Sequence, residues 1–175
     1  MKEFSIIATM DQKNGISKEN RLPWYLPEDI KYFKEITTKT QSNSLQNAII
    51  MDYYAWQNYD FIEKPLKSRV NIVVEVPSDI DLPMGVIVLD NLEQALAAVD
   101  SSEKIDQVFV IGGKELYDEA VLHPSLKAIF LTKIEEDFDC DSFFPDQIPE
   151  SMEIASASEI LDNEDIEYSH FILQH

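Results

Sequence analysis

The residues best suited to chemistry lie in one stretch, from Leu22 to Phe33, which reads Leu-Pro-Trp-Tyr-Leu-Pro-Glu-Asp-Ile-Lys-Tyr-Phe. Its Asp29 carboxylate falls at the predicted start of a helix with one apolar face. Pro27 favours the first helical turn because its missing N–H would have no partner there, and an acid in that turn faces the positive end of the helix dipole. Beside Leu22, Trp24 and Phe33 the carboxylate would be partly desolvated, which favours either the protonated acid or a bound cationic or amidine-like partner. The alternative interpretation is that Asp29 only complements the helix dipole.

A second candidate site is the sequence Ile111-Gly112-Gly113-Lys114, which holds two of the four glycines in the chain. The pair follows a predicted strand and precedes a predicted helix. A side chain there would block close approach of the backbone, and helix N–H groups can meet an anion. The pattern is not the dinucleotide fingerprint, which needs three spaced glycines. It indicates either a tight turn or a place where a ligand approaches the backbone.

Apolar runs and helical repeats alternate along the chain, and this alternation predicts the elements that position both sites. We predict strands at 4–9, 48–51, 70–74, 86–89 and 108–111, and helices after Pro27, at 53–61, at 92–99 and at 115–121. Such alternation favours an α/β fold with a mainly parallel central sheet and helices on both faces. Strands at 127–134 and 166–173 have no long helix between them, which predicts an antiparallel C-terminal strand. Residues 11–21 and 159–167 are predicted to be loops, and residues 1–175 to form a single domain.

Length and charge limit the possible partners. The chain has 175 residues, with 14 basic and 33 acidic side chains, and its net charge of −19 should repel nucleic acid and anionic membranes. No apolar run is long enough to span a bilayer and no signal-peptide pattern is present, so we expect a cytoplasmic protein, and a monomer. Cys140 is the only cysteine, and His123, His170 and His175 lack ligand spacing, so we predict no disulfide and no metal site and expect the histidines to be structural or exposed.

Many short motifs occur in the order and spacing of one known family. They are Ser5-Ile6-Ile7-Ala8-Thr9-Met10-Asp11, Asn14-Gly15-Ile16, Leu22-Pro23-Trp24, Asp29, Phe33-Lys34, Thr37, Ile50-Met51, Pro65-Leu66, Arg69, Asn71-Ile72-Val73, Ile111-Gly112-Gly113, Tyr117, Leu131-Thr132 and Phe143-Phe144-Pro145. From the first strand to the last, the sequence resembles the dihydrofolate reductases. The resemblance implies the dihydrofolate-reductase-like fold, and it implies that residues 11–21 form a lid over the active site.

The resemblance also implies roles for individual residues in reducing dihydrofolate with NADPH. It implies a small-molecule folate substrate, or an antifolate, in the same pocket. The implied catalytic residues are Asp29, Leu22 and Trp24. The implied substrate-binding residues are Ile7, Phe33, Arg69, Ile111, Thr132 and Tyr117, with Arg69 on the α-carboxylate of the folate tail and Thr132 supporting Asp29. The implied cofactor-binding residues are Thr9, Ile16, Gly112, Gly113 and Lys114.

The cofactor side departs from the family pattern. After the second strand the family typically has Met-Gly, basic residues and Thr-Trp, whereas this chain has Met51-Asp52-Tyr53-Tyr54-Ala55-Trp56. Where the family places a serine or threonine and an arginine for the extra phosphate of NADPH, this chain has Glu75-Val76. A carboxylate at either position would repel phosphate, so tight NADPH binding in the usual manner is not expected.

Three hypotheses follow. The first is a dihydrofolate reductase with a rebuilt cofactor site, which uses NADH if Glu75 accepts a hydrogen bond from a free ribose hydroxyl. The second is a pseudoenzyme that keeps the folate pocket, has weakened or lost NADPH binding, and acts as a binding or regulatory module. The third is a related reductase that acts on another pterin-like ring.

Overall fold

A computed structural model of the chain describes residues 1–60 and 62–175. The described elements, in chain order, are β1 (Phe4–Met10), β2 (Gly15–Ser17), α1 (Pro27–Thr38), β3 (Gln46–Asp52), α2 (Tyr53–Asn58), β4 (Arg69–Val74), β5 (Val86–Leu89), α3 (Leu92–Asp100), β6 (Ile105–Val110), α4 (Lys114–Val121), β7 (Leu126–Ile134), β8 (Ser142–Phe143), β9 (Glu153–Ala157), β10 (Leu161–Asn163) and β11 (Ile166–Gln174). The helix predicted at 53–61 ends at Asn58 in this structure, and its predicted last residue lies outside the described residues.

One large sheet organises the chain, with strand order β10-β11-β7-β1-β6-β3-β4-β5 and β9 paired to β11. The pairings from β7 through β5 are parallel, and β11 runs antiparallel to β7. The mainly parallel sheet and its antiparallel C-terminal strand confirm the predicted fold class. Parallel order brings the carboxyl ends of β1, β3, β6 and β7 to one edge, which is where ligands bind in open α/β sheets.

The central strands β1, β3, β4 and β6 send successive side chains to opposite faces of the sheet, and both faces are covered by helices. Ile6 and Ile50 pack on one side, with the apolar faces of α3 and α4. Ile7 and Ile49 pack on the other side, against α2 and the inner face of α1. Central strands such as β1 and β3 are therefore mainly apolar and buried, which is typical of parallel sheets with two covered faces.

The loop predicted at 159–167 is partly wrong. Residues Leu161–Asn163 form β10, which pairs antiparallel with β11 through Asn163 and Ile166. Glu164 and Asp165 make the turn with φ values of 51° and 73°. Acidic residues suit such a turn because Asp tolerates the left-handed region better than most residues. Because these residues are charged, the segment around β10 shows no apolar period from which a strand could be predicted.

The predicted loop at 11–21 contains one short strand, β2, which pairs antiparallel with β8. Asp11 is fully buried and accepts hydrogen bonds from the backbone N–H groups of Lys13, Gly15 and Phe138, at 2.9, 2.7 and 3.1 Å. One carboxylate therefore fixes the shape of this loop and ties it to the segment before β8. Among the described residues, no helix is long and apolar enough to cross a bilayer.

Candidate active site

The first turn of α1 delivers Asp29 to the carboxyl ends of β1 and β7. Pro27 occupies the start of the helix, as predicted, and no side chain caps the preceding Leu26. Asp29 is 9% exposed, whereas the adjacent Glu28 is exposed to solvent. Of two acids in the same helical turn, only one is buried, so interaction with the helix dipole alone does not account for its position.

Two threonine hydroxyls hold the Asp29 carboxylate, one on each oxygen. Thr9 Oγ1 donates to Oδ2 and Thr132 Oγ1 donates to Oδ1, each at 2.6 Å. Thr9 and Thr132 are register partners on the parallel strands β1 and β7. The implied support of Asp29 by Thr132 matches this direct contact, and Thr9, expected on the cofactor side, contacts the carboxylate as well.

A histidine lies behind this arrangement, on β11 directly opposite Thr132. His170 Nδ1 lies 2.9 Å from Thr132 Oγ1 and 3.9 Å from Asp29 Oδ1. The Tyr32 ring stacks on the imidazole with centroids 3.8 Å apart, and Tyr168 approaches edge-on at 5.5 Å. Burial lowers the pKa of His170, opposed by the charge of Asp29. Sequence reasoning missed this contact because it depends on the pairing of two strands that are distant in sequence.

Asp29 opens into a cleft that brings together most of the predicted site residues. The cleft is lined by twelve of the fourteen: Ile7, Thr9, Ile16, Leu22, Trp24, Asp29, Phe33, Ile111, Gly113, Lys114, Tyr117 and Thr132. Its empty space, including the open mouth, is about 1070 Å³. Apolar and aromatic side chains dominate the lining, and Asp29 provides a buried charge in it.

The two remaining predicted residues, Gly112 and Arg69, lie just outside the lining. Gly112 adopts φ +120°, and a Cβ there would fall 2.3 Å from Tyr59 Oη, so a glycine is required. Arg69 is 9% exposed; its Nη1 donates to Thr37 Oγ1 at 2.8 Å and its Nε donates to the Lys67 carbonyl at 3.0 Å. The Arg69 guanidinium carbon lies 5.8 Å from the centre of the Phe33 ring, which does line the cleft. Burial lowers the pKa of Arg69.

Two tyrosines bind backbone carbonyls at the inner end of the cleft. The Tyr117 hydroxyl donates to the carbonyl of Ile7 at 2.9 Å, and the Tyr59 hydroxyl donates to the carbonyl of Ile111 at 2.6 Å. Burial raises the pKa of both phenols, so they act as neutral donors. Tyr59 is a lining residue that sequence reasoning missed, since nothing in the α2 segment relates it to the glycine pair.

Asp52 occupies the corner where β3, α2 and the glycine pair meet. It is 2% exposed and caps α2 by accepting from the Ala55 N–H at 2.7 Å. The Gly113 N–H also binds this carboxylate, and a Cβ on Gly113 would lie 2.9 Å from Asp52 Oδ2. Desolvation raises the pKa of Asp52 despite these N–H donors. An anion at the Gly113 N–H would therefore lie against a carboxylate of the chain itself.

Other charges near this corner do not offset Asp52. Burial and the charges of Asp52 and Glu115 raise the pKa of Glu75, which places these acids in one negative field. Lys114, the one predicted cofactor-binding cation, forms an ion pair with Asp118. This end of the cleft is consequently electronegative.

Fold and cleft together define an α/β protein with a buried carboxylate in an apolar cleft. Sequence comparison specifies the family: the family model described as dihydrofolate reductase matches residues 3–175. This chain belongs to the dihydrofolate reductase family.

Similar proteins come from animals and plants. The chain is 33% identical over 162 residues to the dihydrofolate reductase of Drosophila melanogaster, covering 91% of this chain and 88% of the relative. It is 36% identical over 146 residues to that of Heliothis virescens, covering 82% and 79%. It is 37% identical over 147 residues to the bifunctional dihydrofolate reductase-thymidylate synthase of Glycine max, covering 81% of this chain but 28% of that longer protein.

Dihydrofolate reductases normally use NADPH, so the Asp52 corner can be tested against that molecule. Its phosphates would need backbone N–H groups or cations, but Asp52 already binds the Gly113 N–H and Lys114 is paired with Asp118. Glu75 adds a further negative charge near this corner. The acids at this corner and the pairing of Lys114 leave residues that do not fit the phosphates of NADPH in this arrangement.

Proposed function

We propose that this chain reduces 7,8-dihydrofolate to 5,6,7,8-tetrahydrofolate, with hydride from a nicotinamide cofactor. The observation that carries the proposal is the Asp29 carboxylate, 9% exposed and bound by two hydroxyl donors inside an apolar cleft. The reaction requires a hydride at one ring carbon and a proton at the neighbouring ring nitrogen. Neither step requires a metal or a protein nucleophile, so the work of the protein is to bind, orient and polarise the ring.

Asp29 binds the amino-pyrimidine edge of the pterin in this proposal. Its two oxygens accept from adjacent N–H groups of the ring, and the negative charge raises the basicity of the nitrogen that is protonated. Ile7, Phe33 and Ile111 form the walls that orient the ring and exclude water. Leu22 and Trp24 cover the carboxylate from the side of the loop that precedes α1.

Arg69 binds the α-carboxylate of the folate tail. A guanidinium suits this contact because it can donate two parallel hydrogen bonds to a carboxylate. Its contacts with Thr37 and Lys67 support the proposal, since they hold the guanidinium in one orientation beside Phe33. A preorganised donor loses less entropy when the ligand binds.

The identity of the hydride donor is part of the proposal. Glu75 would accept a hydrogen bond from a free ribose hydroxyl and repel an added phosphate, which favours NADH over NADPH. Asp52 disfavours both nucleotides, because both carry a pyrophosphate. The other binding residues for the nucleotide and the ring remain predictions. They are Thr9, Ile16, Gly112, Gly113, Lys114 and Tyr117.

A second candidate function is supported by the Asp52 corner. A chain that keeps the folate pocket but holds its own carboxylate against the Gly113 N–H would bind folates without reducing them. It would then act as a binding or regulatory module. The two candidates share the pocket and differ only in whether a dinucleotide binds.

Separate titrations distinguish these functions. The purified chain is titrated by calorimetry with a 2,4-diaminopyrimidine antifolate, with NADPH and with NADH, and dihydrofolate turnover is then assayed with each nucleotide. Asp29→Asn should weaken antifolate binding by roughly 100-fold, because a charge-assisted contact is worth about 1.5–3 kcal/mol. Glu28→Gln is the matched control: it removes an exposed carboxylate from the same helical turn and should bind as the wild type does.

Each outcome has one meaning. Antifolate binding together with turnover, at least as fast with NADH as with NADPH, supports the reductase with a rebuilt cofactor site. Antifolate binding with no turnover under either nucleotide selects the binding module. A folded protein that binds no antifolate, or an Asp29→Asn variant that binds like the wild type, overturns both proposals.

A further inference from the structure

Asp29, Thr132 and His170 form a continuous row of polar groups behind the cleft. Thr132 Oγ1 lies 2.6 Å from Asp29 Oδ1 and 2.9 Å from His170 Nδ1, so one hydroxyl bridges a carboxylate and an imidazole. Side-chain exposure is 12% for Asp29 and 13% for His170. The three groups belong to three separate elements, α1, β7 and β11.

The single proton of the threonine hydroxyl restricts how this row can be arranged. When Asp29 is ionised, Thr132 donates to Asp29, and His170 must then carry a proton on Nδ1 and donate it to Thr132. When Asp29 is protonated, the direction reverses: the acid donates to Thr132, and Thr132 donates to an unprotonated Nδ1. The tautomer of His170 therefore reports the protonation state of Asp29.

We infer that His170 is a positioning residue for Asp29, which acts through Thr132 and returns a proton to the carboxylate. This inference rests on the proposed function, in which Asp29 binds the ring that is protonated during reduction. In the step, solvent protonates Nε2 of the neutral His170 as its Nδ1–H bond breaks and a new Thr132 O–H bond forms. The original Thr132 O–H bond breaks as an O–H bond forms on Asp29 Oδ1. His170 is left neutral with its proton on Nε2, so the net transfer is of one proton from solvent to Asp29.

The surroundings of the imidazole suit this role. The titratable groups that face it among the described residues are Asp29 and Tyr32 on α1 and Tyr168 on β11. Its backbone is fixed by the hydroxyl and N–H of Ser158, at 2.9 and 2.8 Å. The ring is stacked on Tyr32 and its Nδ1 is hydrogen-bonded to Thr132, so a proton leaving Nδ1 passes to Thr132.

The first test uses nitrogen-15 NMR of the histidine side chains in the protein without ligand. His170 should carry its proton on Nδ1 at neutral pH, and Thr132→Val should change this tautomer without unfolding the protein. The exposed His175 serves as the reference, and His175→Asn assigns its signal. A wild-type His170 in the Nε2–H form at neutral pH would overturn the inference, even if no antifolate binds.

The second test is the pH profile of antifolate affinity in two variants. His170→Asn keeps an N–H donor near the position of Nδ1, whereas His170→Phe keeps only a ring to stack on Tyr32. The acidic limb of the affinity profile should move upward by about one pH unit in His170→Phe, because the donor that supports the Thr132–Asp29 contact is gone. In His170→Asn it should stay close to that of the wild type.

These results separate the inference from the proposed function. Identical profiles for the wild type and His170→Phe, with tight binding in both, leave the proposed function standing and overturn the role of His170. Loss of antifolate binding in the wild type overturns the proposed function, while the NMR result still decides the coupling between His170, Thr132 and Asp29.

Discussion

Thr9 and Thr132 face one another on the neighbouring parallel strands β1 and β7, and their hydroxyls bind different oxygens of the same carboxylate. The pair forms a cradle of two hydroxyl groups at the carboxyl ends of the two strands. The first turn of α1 places the Asp29 carboxylate in this cradle. The two hydroxyl donors hold the buried carboxylate in the lining of the cleft. The site thus depends on strand register as much as on the acid itself.

Replacing either threonine should therefore weaken ligand binding. Thr9→Val and Thr132→Val each remove one donor from Asp29 while keeping the size of the side chain, and each should lower antifolate affinity on the order of 10-fold. Calorimetric titration measures the change. Thr38→Val is the control, since Thr38 binds only the Lys34 carbonyl of its own helix. Wild-type affinity in both cradle variants would show that the hydroxyls do not support the carboxylate.

The Asp52 corner predicts a gain of nucleotide binding. Asp52→Asn removes the negative charge but keeps an oxygen that can cap α2, because asparagine is as good a cap as aspartate. NADPH and NADH affinity should both rise by roughly 10-fold, since one repulsive charge beside a pyrophosphate is lost. Fluorescence titration of the purified variant measures this. Asp79→Asn, which neutralises an exposed acid, controls for the general effect of net charge; an equal gain there would contradict the specific role of Asp52.

Stability should fall on mild acidification because of His170. Its pKa is lowered by burial, so the unfolded chain, with a histidine pKa of about 6.5, binds the proton more tightly than the folded chain does. Neutral His170 thus makes its full contribution to the free energy of unfolding above that pH. This contribution is lost as the pH falls toward the lowered pKa of His170 in the folded chain. Denaturant unfolding at several pH values should show this acid sensitivity in the wild type and a weaker one in His170→Phe. Parallel stability curves for the two proteins would contradict it.

Gly112 should tolerate no side chain, for two separable reasons. Gly112→Ala places a methyl group 2.3 Å from Tyr59 Oη and forces alanine to φ +120°, a strain of about 1–3 kcal/mol. Gly85→Ala has a comparable φ of +94° but nothing within 4 Å, so it measures the backbone strain alone.

Chemical unfolding should therefore show a larger decrease in the free energy of unfolding for Gly112→Ala than for Gly85→Ala. Adding Tyr59→Phe should recover part of the difference, so that the double variant loses less than the sum of the single variants. Strict additivity would mean that Tyr59 and Gly112 do not meet.

Much of the architecture could be predicted from the sequence. The strand at 86–89 matches β5, and the strands predicted at 4–9, 70–74 and 127–134 each lie within one residue of β1, β4 and β7 at either end. These elements are encoded by local periodicity and by turn residues, which a single chain displays directly. The short strands β2, β8, β9 and β10 were missed, because polar or exposed strands of two to five residues carry little periodic signal.

The sequence by itself determined which chemistry was available: one acid in an apolar helical turn, a glycine pair after a strand, and acids where phosphate-binding residues were expected. Tertiary structure alone decided how those groups meet. Strand pairing brought Thr9, Thr132 and His170 to Asp29, and the packing of α2 against the glycine pair set Asp52 on Gly113 and Tyr59 on Ile111. The physical reason is the sequence separation of the interacting residues. The start of a helix is determined by neighbours a few residues apart, whereas the partner of a buried charge is determined by the register of strands that are distant in sequence.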